Sequence, residues 1–245
     1  MPNFAVILPA AGASRRFGDK NYKKPFAMLA GRAVWLHSAE KFLARDDVKQ
    51  VIVAVAEEDL ETFQQKFGAN IVILGVEVCT GGKERSDSIA NAIEKLKPEI
   101  DHIAVHDAAR PCVTEKQIEA VFDTATKTNA ALLATRVTGT LKRAGQGEVV
   151  SETVDRTGLW EAQTPQVFRR DLLESAYAGR SDEPATDDAQ LVERLGEAVT
   201  LVESAPTNLK ITTKADLRLA EQILKAAPKP KTGGVNPFAD DDLWR

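Results

Sequence analysis

Uninterrupted apolar runs mark the first half of the chain. Phe4 to Leu8, Val51 to Ala56, Asn70 to Leu74, His102 to Val105 and Ala130 to Ala134 lack polar alternation, as expected of strands covered on both faces. Between these runs the apolar spacing becomes helical. Ala33 to Leu43 places Val34, Leu36, Phe42 and Leu43 on its apolar positions, and Asp59 to Phe67, Ser86 to Leu96 and Glu115 to Lys127 follow the same pattern. Thr114 is placed to cap the last of these at its N-terminus. Strand then helix, repeated, predicts an α/β fold with a mostly parallel, Rossmann-like sheet, helices on both faces and right-handed crossovers.

The rhythm breaks between about residues 137 and 158. Short extended pieces there flank Gly145 and Gly147, predicting a β-hairpin arm that projects from the sheet. Beyond it the pattern predicts helices at Arg170 to Tyr177 and Asp187 to Leu195, a strand at Val199 to Glu203 and a closing helix at Lys214 to Lys225. Residues 228–245 are rich in Pro, Gly and charge without periodicity, which reads as a flexible tail after a single domain over 1–227. That tail is too short to form another domain.

Composition narrows the class. A chain of 245 residues, 43% hydrophobic and 28% charged, suits one larger α/β domain. With a net charge of −4, no overall positive field favours nucleic acid or an anionic membrane, so any anionic ligand must be held by local Lys and Arg. Two distant cysteines, Cys79 and Cys112, form neither a disulfide framework nor a thiolate metal cluster, which fits a reducing cytoplasm. The N-terminus lacks a basic targeting region, and no apolar run approaches the roughly 18 residues needed to span a bilayer.

The candidate chemistry sits where strands end. The first strand runs into Pro9-Ala10-Ala11-Gly12-Ala13-Ser14-Arg15-Arg16-Phe17-Gly18, where small residues let the backbone approach an anion and arginines follow at once. Lys24 lies eight residues beyond Arg16, delivering a cationic cluster to the carboxyl end of strand one, where open α/β sheets bind ligands. The loop is neither G-x-x-x-x-G-K-[ST] nor G-x-G-x-x-G, which argues against a P-loop NTPase and a dinucleotide oxidoreductase. A second constellation, Gly81-Gly82-Lys83-Glu84-Arg85-Ser86-Asp87-Ser88, precedes a helix. There Ser86 or Ser88 either caps the helix or offers a hydroxyl to a ligand. A third, Val105-His106-Asp107-Ala108-Ala109-Arg110-Pro111, sets an acid beside the first loop. Asp107 is placed to hold Mg²⁺ on phosphate oxygens, and His106 is read as a structural hydrogen-bonder.

These motifs are followed in order by Thr153-Val154-Asp155-Arg156, Trp160-Glu161-Ala162-Gln163-Thr164-Pro165-Gln166-Val167-Phe168, Thr186-Asp187-Asp188-Ala189 and Asn208-Leu209-Lys210-Ile211-Thr212-Thr213. From Ala5 to about Leu224 the chain resembles the 2-C-methyl-D-erythritol 4-phosphate cytidylyltransferases. It departs from their pattern at Ser14, at Pro25-Phe26 and at Gly139, which stands before Thr140 where the family usually has Asp.

The resemblance implies transfer of CMP from CTP to methylerythritol phosphate with release of pyrophosphate, in the non-mevalonate isoprenoid pathway. It implies a CTP pocket lined by Ala10, Ala11, Gly12, Gly82 and Ser88, with Arg16 and Lys24 stabilising the transition state. It assigns the acceptor to Asp107, Arg110, Thr140, Arg156, Thr164, Thr186 and Lys210, with Arg156 and Lys210 also part of the catalytic set. Mg²⁺ beside Asp107 and a homodimer joined through exchanged arms complete the expectation. Two other readings are a sister enzyme acting on D-ribitol 5-phosphate and a non-catalytic nucleotide-sugar sensor on the same fold.

Overall fold

A computed structural model describes residues 1–11, 26–181 and 183–227. Along the chain come β1 (Phe4–Pro9), a small hairpin of β2 (Met28–Leu29) and β3 (Arg32–Ala33), α1 (Val34–Leu43), β4 (Val48–Val55), α2 (Leu60–Leu74), β5 (Glu77–Thr80), α3 (Arg85–Ile93), β6 (His102–Val105), α4 (Glu115–Thr128) and β7 (Ala130–Arg136). An arm of β8 (Leu141–Ala144) and β9 (Val150–Val154) precedes β10 (Trp160–Arg169), α5 (Arg170–Ala178), α6 (Asp188–Glu193), β11 (Thr200–Glu203) and α7 (Lys214–Ala226).

The main sheet has the order β11-β7-β10-β6-β1-β4-β5. Neighbours pair in parallel except at β10, which runs antiparallel to both β6 and β7. From β1 the chain works outward through β4 to β5, then returns to place β6 on the other flank of β1. That reversal opens a crevice at the carboxyl ends of β1 and β6, the usual ligand position in such sheets.

Apolar runs become strands here because both faces are covered. Phe4, Val6 and Leu8 pack with Trp35 and Phe42 of α1, Phe63 of α2 and Phe122 of α4. The alternate residue Ile7 joins Ile52 and Ala54 in a second cluster with Ile89 of α3, Leu173 of α5 and Val192 of α6. Successive strand side chains point to opposite faces, so the two clusters are the two layers of the core. A fully buried Phe in either layer contributes about 1.5–3 kcal/mol by transfer from water.

The expected helices form with small shifts at their ends, except α2, expected to end at Phe67, which runs on to Leu74. Thr114 caps α4 in a reciprocal capping box with Gln117, as its sequence predicts. Residues Asn70 to Leu74, expected as a strand, are instead the last turn of α2, closed by Gly75 in the left-handed region. Val72 and Ile73 are 80% and 81% exposed, so no sheet covers this run, and the third parallel strand is β5. An apolar run this short fits a helix end as well as a strand.

The arm forms where the sequence places it, with Leu141 opposite Val154 and Arg143 opposite Glu152. The predicted 228–245 tail and the loop bearing Gly12, Arg16 and Lys24 lie outside the described residues.

Candidate active site

Three strand ends converge at the crevice. After β1, the Ala10 N–H donates to Ala54 O at 2.8 Å, and after β5 the Gly81 N–H donates to Val55 O at 2.7 Å, which draws the two turns together at the end of β4. The closeness demands glycine. A Cβ on Gly81 would lie 2.5 Å from the Ala11 Cβ, and one on Gly82 would lie 2.2 Å from the Asp87 Cβ. The helix α3 begins at once, with Glu84 as N-cap in a capping box with Asp87. Neither Ser86 nor Ser88 is therefore the cap. The buried Ser88 hydroxyl accepts from the Gly82 N–H at 3.0 Å and donates to Glu84 O at 3.1 Å, holding the glycine turn against the helix. The structure thus brings Ala10, Ala11, Gly82 and Ser88 to one place.

Next to this turn, the end of β6 carries a cluster of charge. Asp107 is buried, and Arg85 Nε reaches its Oδ1 at 3.4 Å, while Lys210 Nζ at 2.9 Å and Arg110 Nε at 3.4 Å reach its Oδ2. Burial penalises the Asp107 charge, but Lys210, Arg85 and Arg110 outweigh that and hold the carboxyl well below the usual carboxylate range. Arg85 also pairs with buried Asp188 at 2.8 Å. Its guanidinium loses hydration by burial, yet Asp188 and Asp107 more than offset this and strengthen its hold on the proton. Three cations, Arg85, Arg110 and Lys210, gather around the two carboxylates, with Glu161 also acting on Arg110, and such a concentration of cationic side chains at a sheet's carboxyl edge suits an anion.

Backbone contacts fix this geometry from the far end of the chain. Arg110 Nη1 donates to Asn208 O at 2.7 Å, the Ile211 N–H donates to Ala109 O at 2.8 Å, and Asn208 Nδ2 donates to Thr164 O at 2.9 Å. Lys210 therefore arrives at Asp107 on a segment tied to both β6 and β10.

The Thr164 side chain is used internally. Its Oγ1 accepts from the Asp107 N–H at 3.0 Å and lies 3.2 Å from His106 Nδ1, while His106 Nε2 lies 3.1 Å from Arg110 O. A carbonyl only accepts, so Nε2 carries the proton and Nδ1 accepts from the threonine hydroxyl. Burial pushes the His106 imidazole down to about 4, so the ring is a neutral structural bridge, as its sequence position suggests.

The remaining expected site residues stand elsewhere. Thr140 and Arg156 are exposed on the arm and its base, where the Arg156 guanidinium donates to Thr138 O. Thr186 is exposed, and its N–H and hydroxyl both meet Gln190 Oε1. No hydrogen bond or ion pair among the described residues joins these three to the Asp107 cluster. Arg85, by contrast, is central to the cluster although its sequence position carried no assigned role. The glycine turn beside it was the available signal.

Among the described residues no group of three His, Cys, Asp or Glu converges to hold a metal. Both Asp107 oxygens already face cations, so neither is open to a metal ion as the chain stands. Cys79 and Cys112 are buried and free, and burial pushes both thiols up to about 11.

A family model described as 2-C-methyl-D-erythritol 4-phosphate cytidylyltransferase matches residues 4–226. A protein of that name from Rhodopirellula baltica is 44% identical over 232 residues, covering 90% of this chain and 94% of its own. One from Endomicrobium trichonymphae is 41% identical over 222 residues, covering 91% and 99%. The crystal structure of 2-C-methyl-D-erythritol 4-phosphate cytidylyltransferase from Thermus thermophilus matches with a TM-score of 0.74 at 33% identity, covering 92% of this chain and all of that one.

Proposed function

The chain belongs to the 2-C-methyl-D-erythritol 4-phosphate cytidylyltransferase family, and from that premise we propose how its residues divide the work. The reaction is that of a nucleotidyltransferase of the non-mevalonate isoprenoid pathway. CMP passes from CTP to the acceptor phosphate, giving 4-diphosphocytidyl-2-C-methyl-D-erythritol and pyrophosphate. A phosphate oxygen of the acceptor forms the new bond to the α-phosphorus as the bond to pyrophosphate breaks in line. The nucleophile is already ionised, so no side chain needs to remove a proton.

The nucleotide side is assigned to Ala10, Ala11, Gly12, Gly82 and Ser88. The tight glycine turn supports this, because it packs Ala11, Gly82 and Ser88 together at the start of α3. Arg16 and Lys24 are assigned to the charge that builds on the α-phosphoryl oxygens.

The observation that carries the acceptor assignment is the gathering of Arg85, Arg110 and Lys210 around Asp107. Lys210, half exposed at its tip, and Arg110 are its cations, joined by Arg156, Thr140 and Thr186 from the surrounding rim. Thr164 serves by fixing the Asp107 backbone rather than by offering its hydroxyl. Magnesium, carried on the nucleotide phosphates beside Asp107, would neutralise their charge when bound.

The β8–β9 arm supports a homodimer, since a two-stranded ribbon with both faces in water is marginal alone. Val149 and Val150 at its tip are 67% and 58% exposed. Among the described residues no helix is long and apolar enough to cross a membrane. A cytoplasmic location, where CTP is at hand, belongs to the same reading.

Pyrophosphate release from CTP and Mg²⁺ tests the reading, run side by side with methylerythritol phosphate and ribitol 5-phosphate. Methylerythritol phosphate is expected to be the preferred acceptor by orders of magnitude in kcat/KM. Preference for ribitol phosphate would overturn the acceptor, and silence with both would overturn the transfer.

A further inference from the structure

Asp188 is 1% exposed and has no part in the chemistry above. Its Oδ1 accepts from the Tyr177 hydroxyl at 2.5 Å, and its Oδ2 pairs with Arg85 Nη2 at 2.8 Å. Burying a carboxylate in this way is a poor route to stability, since a well-packed apolar group of similar volume commonly does as well. What the pair does achieve is orientation. The Arg85–Asp188 contact is an ion pair without hydrogen-bond alignment, so it acts through charge: it holds the rigid, planar guanidinium at the start of α6 and thereby places Nε. That Nε lies 3.4 Å from Asp107 Oδ1.

The two Asp107 oxygens are thereby divided. Oδ1 faces Arg85 at the start of α3, next to the glycine turn, and Oδ2 faces Lys210 and Arg110 on the opposite side. Holding Oδ1 stops the carboxylate turning about its Cβ–Cγ bond, and so fixes the oxygen on which Lys210 rests. The start of α6 is itself tied to β10, because Gln166 Oε1 accepts from the Asp188 and Ala189 N–H groups at 3.1 and 3.0 Å.

We propose that Asp188 is a positioning residue which, through Arg85, locks the Asp107 carboxylate and with it Lys210 in the geometry that receives the acceptor's phosphate. The inference rests on the acceptor assignment made above. It predicts an effect on the acceptor and not on CTP, because the Gly82–Ser88 contacts do not pass through Asp188.

The test is steady-state kinetics with each substrate varied in turn, on wild type, Asp188→Asn, Tyr177→Phe, Arg85→Lys and the double variant D188N/R85K, alongside thermal unfolding. Asp188→Asn keeps the shape and removes the charge. It is expected to raise KM for the acceptor about tenfold with KM for CTP within twofold. Tyr177→Phe, which leaves the ion pair intact, should raise it about threefold. The double variant should be no worse than R85K alone, because the two residues act in series.

An unchanged acceptor KM in D188N and Y177F, or additive losses in the double variant, would overturn the proposal even where stability falls. A second readout is independent of turnover: the Arg85 Nε–H resonance in ¹⁵N NMR should exchange slowly in wild type and broaden away in D188N. If wild type releases no pyrophosphate, the functional reading fails, and this resonance still decides whether Asp188 positions Arg85. Equal exchange in the two proteins would rule that out.

Discussion

Around Asp107, each charged side chain finds its partner within the same chain at 2.8–3.4 Å, and both carboxylates are buried. Along the β8–β9 arm, Arg143 and Glu152 pair in open solvent, with side chains 65% and 52% exposed, and two valines stand at the tip. The first region is complete in one chain, whereas the second presents surface that a single chain leaves in water. The contrast separates what one chain holds in place from what the proposed homodimer would cover. It also says where mutation should hurt the fold and where it should hurt only association.

The largest effect is expected at the complete region. Asp107→Ala leaves Arg85, Arg110 and Lys210 facing one another without their shared carboxylate. Breaking a buried ion cluster by removing one partner costs about 3–5 kcal/mol, so urea unfolding should shift by that amount and transfer should fall more than 100-fold. A variant within about 1 kcal/mol of wild type would show that the cations rearrange freely, and the contrast with the arm would collapse.

Proton linkage comes next. An unfolded imidazole protonates near pH 6.5, whereas buried His106 stays neutral down to about 4. Between those values the unfolded chain binds more protons, so stability falls as pH falls, by at most about 1.4 kcal/mol per pH unit for this one group. His102 is lowered by burial in the same direction. Asp107, held low, adds to the loss once unfolded carboxylates begin to protonate, below about pH 5. Chemical denaturation at pH 7 and pH 4.5 should show the fall, with a shallower slope in His106→Gln. Equal slopes would mean the ring titrates freely.

At the incomplete region the expected change is in assembly. Replacing Val149 and Val150 with Asp should leave the melting of the main sheet unchanged. The double variant should shift the subunit equilibrium at least tenfold toward monomer in sedimentation, with specific activity falling on dilution. Unaltered sedimentation would take the arm out of the interface. Smallest of all, Arg143→Ala removes an exposed ion pair and should change stability by less than about 0.5 kcal/mol. A larger loss would mean the arm is not solvated as a single chain presents it.

The legibility of the molecule follows the same division. Strands covered on both faces could be read because burial removes every reason for polar alternation, as in Phe4 to Leu8. The arm could be read because glycines and short extended segments replace that rhythm. The run Asn70 to Leu74 could not, since apolar character alone does not distinguish a helix end from a strand.

β10 was recognisable as a motif but not as a strand. Its buried Gln163, Thr164 and Gln166 look polar in sequence, yet they bond to Asn208, Asp107 and Asp187. That Ala11, Gly82 and Asp107 meet at strand ends was legible, because open α/β sheets bring their strand-end loops together there. The role of Arg85 was not, because its partners Asp107 and Asp188 meet it only through tertiary folding.

The antiparallel strand of the main sheet, β10, also sets the order in which the protein can be made. β6 and β7 flank a gap that only residues 160–169 can fill. The ribosome therefore releases both strands, and then the whole arm, before the piece that closes them exists. Until then each carries a bare hydrogen-bonding edge and an uncovered apolar face, the features through which nascent chains stick to one another. A translational pause once Arg169 has left the exit tunnel would let the sheet close early, whereas one while β10 is still inside it would prolong the interval in which the sheet is open to aggregation.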